Sequence, residues 1–207
     1  MIALDHLVFA VPELDHGVSF IEELLGIKVY PGGRHLHFGT HNALIRIGEE
    51  SYLEIIAPDP TNPKDHPLWM GLTDVRSPGR LTRWGIKHPL DDMVMEGLKS
   101  YDPELSVISE GLREKPDGSF LKWMLTPPAP FPLVESCPFF IDWAGSDHPS
   151  NQLPPECLLK FLSVSSPRAQ EINSFLDQIG IEFKIETSKE HRIIADIECP
   201  KGIITLT

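Results

Sequence analysis

The chain states one structural phrase twice. Residues 11–29 read VPELDHGVSFIEELLGIKV and residues 165–183 read SSPRAQEINSFLDQIGIEF. Each runs from a proline through an amphipathic helix to Gly-Ile and an extended segment. In the first, Leu14, Val18, Ile21 and Leu25 recur at helical spacing, and Gly26 sits where a helix-ending glycine belongs. In the second, Ile172, Phe175, Leu176 and Ile179 recur, and Gly180 closes. An apolar, β-branched strand precedes each helix, LDHLVFAV over 4–11 and LLKFLSVSS over 158–166. Further strands follow each: 27–33, 41–48 and 51–58 in the first copy, and 183–186, 191–198 and 202–207 in the last. A fainter copy lies between, with strands at 81–88, 105–112, 119–125 and 138–143 and a short helix over 90–98 opened by Pro89. The pattern predicts an α+β fold of repeated β-α-β-β-β modules with a curved mixed sheet. The modules span residues 1–60, 80–143 and 157–207. The alternative is a chance recurrence of phrases common to α+β proteins. Proline-rich stretches at 57–67, 127–132 and 144–156 separate the modules.

Composition excludes several partners. Lys+Arg 18 against Asp+Glu 30 gives a formal charge of −12, which repels nucleic acid and anionic membrane. No apolar run approaches the ~20 residues of a membrane span. The N-terminal stretch lacks a basic segment and carries Asp5 and His6, so a secretory signal is not expected. Cys137, Cys157 and Cys199 are odd in number and far apart, and read as reduced thiols of a cytoplasmic protein. No phosphate-binding loop or dinucleotide fingerprint is present, so no nucleotide cofactor is expected.

Five of the nine histidines, His6, His16, His35, His37 and His41, crowd into the first 41 residues. Strand alternation puts His6, Val8 and Ala10 on one face, and Tyr52, Glu54 and Ile56 on one face. An ionisable residue inside each of two apolar strands needs a partner. His6 and Glu54 therefore suit either a divalent metal (zinc, iron, manganese or nickel) or a buried hydrogen bond to each other. GGRHLHFGTHN over 32–42 reads as a glycine-framed loop. Its histidines are either functional or merely neighbours on an exposed polar hairpin. His16 and His37 read as bystanders.

The phrases LDHLVFAVPELD, GGRHLHFGTHNAL, YLEIIAPDP and FFIDW…HPS resemble the glyoxalase-like domain proteins of the vicinal oxygen chelate superfamily, which includes glyoxalases and extradiol dioxygenases. The resemblance runs from about residue 3 to about residue 180. It implies two modules pairing their curved sheets into a cup, with metal ligands from the first and last strands of each. His6 and Glu54 match those positions in the first module, and the family's recurring G-G-x-H and G-T-x-N phrases point to His35, Thr40 and Asn42, with His35 as a third ligand or general base and Asn42 as a hydrogen-bond donor to a substrate carbonyl or enolate. In the second, counting back from the helix reaches Thr82 and Arg83, neither a good ligand, and Asp142 has an undecided direction. In the third the positions fall near Lys160 and Leu206. The four-ligand pattern is thus not visible.

The expected activity is a metal-assisted lyase, isomerase or dioxygenase acting on a small oxygen-bearing molecule. His35, Glu54 and Asn42 are the catalytic candidates, and His6, Glu54 and His35 the metal ligands. His41, Trp84, Phe139, Ile141, Trp143 and His148 are candidate substrate contacts, with core packing or loop surface as their alternative reading. The rival function is metal-free small-molecule binding or sequestration. A homodimer is expected if pairing must complete a third, unpaired module.

Overall fold

The computed structural model describes residues 3–65, 67–115 and 117–207. The first module is β1 (Leu4–Ala10), α1 (Leu14–Leu25), β2 (Tyr30–His35), β3 (Thr40–Arg46) and β4 (Tyr52–Pro58). The second is β5 (Arg80–Lys87), α2 (Asp92–Tyr101), β6 (Ser109–Glu114), β7 (Phe120–Leu125) and β8 (Phe139–Asp142). The last is β9 (Leu158–Ser166), α3 (Ala169–Gln178), β10 (Glu186–Thr187), β11 (Arg192–Cys199) and β12 (Gly202–Leu206).

The first eight strands close into a mixed barrel in the order β1-β4-β3-β2-β6-β7-β8-β5, and the last four form a separate sheet, β10-β9-β11-β12. The α+β fold with repeated modules and a curved mixed sheet is thus present. The barrel closes within one chain, so no second copy is needed to complete the cup. The seam between its halves is the antiparallel β1–β5 pair, with His6 opposite Gly85 and Val8 opposite Arg83.

Alternation along the strands makes two cores. Leu7, Phe9 and Val11 turn outward, joining Trp84, Val94, Ile172 and Ile193 in a layer that packs helices and the second sheet against the barrel wall. Val8, Ala10, Tyr52, Ile56, Trp123, Phe139 and Ile141 turn inward. α1 ends at Gly26, whose φ of 72° is left-handed and whose N–H donates to the Glu22 carbonyl. α2 starts two residues later than the sequence suggests, because the Asp91 side chain caps it by accepting from the Val94 N–H. Cys137, Cys157 and Cys199 are free and buried. Among the described residues, no helix is long and apolar enough to cross a membrane.

Two differences from the sequence reading move functional residues. The 32–42 segment is two paired strands with a short turn at Leu36–Gly39, so His35, Thr40 and Asn42 are strand residues held in the barrel wall. β6 extends to Glu114 rather than ending at Leu112, which brings Arg113 into the wall.

Candidate active site

The barrel encloses a buried cup lined by His6, His35, Asn42, Tyr52, Glu54 and Arg113, and roofed by aromatic and aliphatic side chains. Strand parity explains the set. His6 on β1 is opposite Tyr52 on β4, with Glu54 two residues on, and Asn42 on β3 is paired with Ile56. Gly111 and Arg113 on β6 face Trp123 and Leu121 on β7. Glycines make room for the walls: a Cβ on Gly111 would stand 2.1 Å from the Trp123 ring, and one on Gly85 would stand 2.7 Å from the Phe139 ring.

Each polar side chain in the first half is held from behind. His6 Nδ1 lies 2.5 Å from Asp5 Oδ1. Asp5 also accepts from Trp143 Nε1 at 2.7 Å and from His148 Nε2 at 3.2 Å. Burial alone would raise the Asp5 pKa, but the hydrogen bonds from His148 and His6 outweigh it and hold it at about 2. An ionised Asp5 only accepts, so the Nδ1 of His6 carries a proton and its Nε2 faces the cup. There it meets Glu54 Oε2 at 3.6 Å, and that oxygen has no hydrogen-bond partner. Glu54 Oε1 accepts from Asn42 Nδ2 at 2.5 Å and lies 3.9 Å from His35 Nε2. His35 Nδ1 is 2.9 Å from Thr40 Oγ1, which also accepts from Trp69 Nε1 at 3.2 Å. Burial, reinforced by the Arg113 charge and by His6 and His41, lowers the His35 pKa well below 6.5, so the ring is neutral at neutral pH. Tyr52 stacks on His6 with ring centres 4.6 Å apart, and burial raises its pKa well above 10, so its hydroxyl keeps its proton.

Of the residues singled out in the sequence, His6, His35, Asn42, Glu54, Phe139, Ile141 and Trp143 come together in the cup. Three do not line it. Trp84 points the other way, into the outer core, donating from Nε1 to the Ser136 carbonyl, because it is one residue out of parity with Gly85. His41 is paired with Arg34 on the outer face, beside Leu14 and Pro31, because Asn42 takes the inward position. His148 stands behind the cup as a ligand of Asp5. Asp142 is exposed. Sequence reasoning missed Asp5, Trp69, Met70, Arg113 and Trp123.

The two halves differ where metal ligands are implied. In the register of β5 with β8, Gly85 pairs with Phe139, and Ile141 follows two residues on. Gly85 and Ile141 therefore occupy the places that His6 and Glu54 occupy in β1 and β4, and neither has a donor side chain. As the side chains stand, no three His, Cys, Asp or Glu among the described residues are close enough together to hold a metal ion. The donor chemistry of the first half nonetheless fits a divalent metal. It offers the His6 and His35 Nε2 atoms and a carboxylate oxygen without a partner, each imidazole held through its other nitrogen.

A curved barrel of two β-α-β-β-β halves around a buried His/Glu cluster defines a cup-shaped glyoxalase-type protein. A family profile described as "Glyoxalase-like domain" matches residues 4–180, and the chain belongs to this family of the vicinal oxygen chelate superfamily. Among solved structures, it is similar to a hypothetical protein from Staphylococcus aureus at 19% identity, covering 94% of this chain and 91% of that one, with a TM-score of 0.64. Methylmalonyl-CoA epimerase from Streptomyces coelicolor matches at 16% identity over 72% of this chain and 100% of that one, TM-score 0.41. A variant of 4-hydroxymandelate synthase from the same organism matches at 12% identity over 99% and 61%, TM-score 0.45. The first of these likenesses shows a shared fold and nothing of the chemistry; the other two carry no argument. No curated protein matches the chain.

Proposed function

We propose that the cup is the active site of an enzyme that performs lyase, isomerase or dioxygenase chemistry on a small oxygen-bearing organic molecule. The observation that carries this reading is the meeting of His6 Nε2 with the unpartnered, buried Glu54 Oε2 at 3.6 Å. With Nδ1 protonated toward Asp5, a neutral His6 would oppose one lone pair to another across that gap, so a proton or a cation belongs there. His6, His35 and Glu54 are the residues that would hold a divalent ion (zinc, iron, manganese or nickel). Such an ion would supply a Lewis acid for a substrate oxygen. Glu54 holds or moves a proton at Oε2, and Asn42 keeps the carboxylate in register through Oε1. His35, neutral and aimed by Thr40, is the second group able to take up a proton. Phe139, Ile141 and Trp143 bind the apolar part of the substrate and exclude water.

A second reading, metal-free binding or sequestration of a small molecule, is supported by Gly85 and Ile141 standing where the second half would contribute ligands. Mass spectrometry of the untagged protein separates the two. The enzyme reading expects stoichiometric metal after reconstitution, and its loss in His6→Ala. Substoichiometric metal in the wild type overturns metal assistance, and unchanged metal in the variant overturns the ligand assignment. The protein is further proposed to be cytoplasmic and to pair as a homodimer. Leu158, Phe161 and Ile203, exposed on the C-terminal sheet, support pairing. Light scattering tests it against the single-chain mass of 23.2 kDa.

A further inference from the structure

The chain buries two arginines in very different ways. Arg83 is 1% exposed and engaged through both terminal nitrogens, with only its Nε unpartnered. Its Nη1 donates to the carbonyls of Thr82 and Leu133 at 2.7 and 2.9 Å, and its Nη2 to those of Ala129 and Pro132 at 2.8 and 2.7 Å. It pins the 127–133 connector to the barrel. Arg113 is 5% exposed, and among the described residues its guanidinium makes no hydrogen bond and no ion pair; its buried Nε is unpartnered. A buried cation without partners is costly, so its place needs an explanation that packing does not supply. It lies in the cup wall with the Tyr52 hydroxyl and the Glu54 carboxylate. The Tyr52 hydroxyl, also in the cup lining, likewise has no hydrogen-bond partner among the described residues.

We propose that the cup recognises the carboxylate of a small organic acid, with the Arg113 guanidinium as its anchor and the Tyr52 hydroxyl as a second donor. This rests on the reading of the cup as the active site and adds the substrate class. A guanidinium presents a planar fork that matches a carboxylate's two oxygens. One fixed cation suits one negative charge. There is no lysine among the lining residues, and no helix N-terminus opens into the cup, as a phosphate dianion near Glu54 would require. The other walls, Trp69, Trp123, Trp143 and Phe139, suit the acid's short carbon skeleton. With the carboxylate on Arg113, the neighbouring oxygen or α-carbon of the acid falls toward His6, His35 and Glu54. Among the described residues Glu54 shares the lining with Arg113 without forming an ion pair with it, which leaves the guanidinium available to an incoming anion.

The test uses the intact, metal-stripped protein and tryptophan fluorescence, since three of its four tryptophans line the cup. Glycolate, lactate and pyruvate are titrated beside their uncharged amides and beside inorganic phosphate. Saturable binding of a carboxylate, with its amide at least about 10-fold weaker, is expected. Arg113→Met should weaken carboxylate binding about 10- to 100-fold, Arg113→Lys should restore part of it, and Tyr52→Phe should weaken it less. Glu54→Gln, which removes the one negative charge among the lining residues, should tighten it. Equal binding of acid and amide, preference for phosphate, wild-type binding by Arg113→Met, or no binding by any of the acids overturns the proposal. If Arg113→Met does not fold, the acid–amide comparison and Arg113→Lys decide. Carboxylate binding that survives in Glu54→Gln, in a protein that fails the metal assay, would uphold this recognition while the metal-assisted reading falls.

Discussion

Asp5 accepts from His6 Nδ1 at 2.5 Å and is the only charged group directly behind the cup on that strand, gathering Trp143 and His148 from 138 and 143 residues away. Its pKa of about 2 lies below its ordinary value of 3.8, so between those values the unfolded chain binds more protons than the folded one. Stability from this group is present above pH 3.8 and is lost as pH falls toward 2. The shift corresponds to about 2 kcal/mol. Asp5→Asn should therefore lose about 2 kcal/mol at pH 7 in urea unfolding. The gap to wild type should close as the titration is repeated toward pH 2. A gap independent of pH would show that Asp5 acts by packing instead.

His35 shifts the other way for its type, and the sign works in the same direction. Its pKa is lowered well below 6.5 by burial first and by the Arg113 charge second. The unfolded chain takes up this proton first, so the stability that neutral His35 contributes is complete above about pH 6.5 and declines below it. Proton–carbon NMR of the ring should report a neutral imidazole at pH 6. Arg113→Met should move its titration upward, toward 6.5. A ring that titrates at an ordinary value in the wild type would contradict its burial.

His6 and Glu54 were legible because two-residue alternation needs only a correct strand, and both strands read cleanly. Arg113 was not. The strand reading stopped at Leu112, ahead of the Lys-Pro-Asp-Gly turn, and so left the arginine in a loop; extending the alternation of Gly111 by one step would have found it. His41 and Trp84 failed by parity. Reading 32–42 as a loop erased the distinction between His41 outside and Asn42 inside. Counting back from a helix assumed to start at Leu90 reached Thr82; the true start at Asp92, behind its Asp91 cap, moves the count to Trp84, still one residue short of Gly85. Asp5 depends on partners remote in sequence, which no local pattern reveals.

The connector after β4 contributes Trp69 and Met70 to the cup lining. Every residue lining the cup is buried, and Trp69 covers it, stacked on Phe38 with ring centres 3.8 Å apart and donating to Thr40 Oγ1. Trp69→Ala should open this cover. Acrylamide should then quench the remaining cup tryptophans, Trp123 and Trp143, more steeply than in the wild type. The truncation should also cost about 3–5 kcal/mol of stability if the gap does not collapse. An unchanged quenching slope with a folded variant would mean that another element seals the cup.

The two buried arginines make opposite predictions for stability. Removing Arg83 leaves the carbonyls of Ala129, Pro132 and Leu133 without the donors that join them to β5, while the Thr82 carbonyl keeps the Glu135 N–H. Arg83→Met should destabilise the fold by about 3–5 kcal/mol, as loss of a well-paired buried charge does. Among the described residues Arg113 has no such partners, and its buried Nε is desolvated without a hydrogen bond in return. Replacing it with a side chain of similar length and no charge removes that cost, so Arg113→Met should melt at or above the wild-type temperature. The same substitution is the one expected to abolish carboxylate binding, which would make Arg113 a residue whose burial is maintained for recognition at the expense of stability. Differential scanning calorimetry of the two variants side by side checks both signs. A destabilised Arg113→Met, comparable to Arg83→Met, would assign Arg113 a structural role and remove the contrast on which its function is argued.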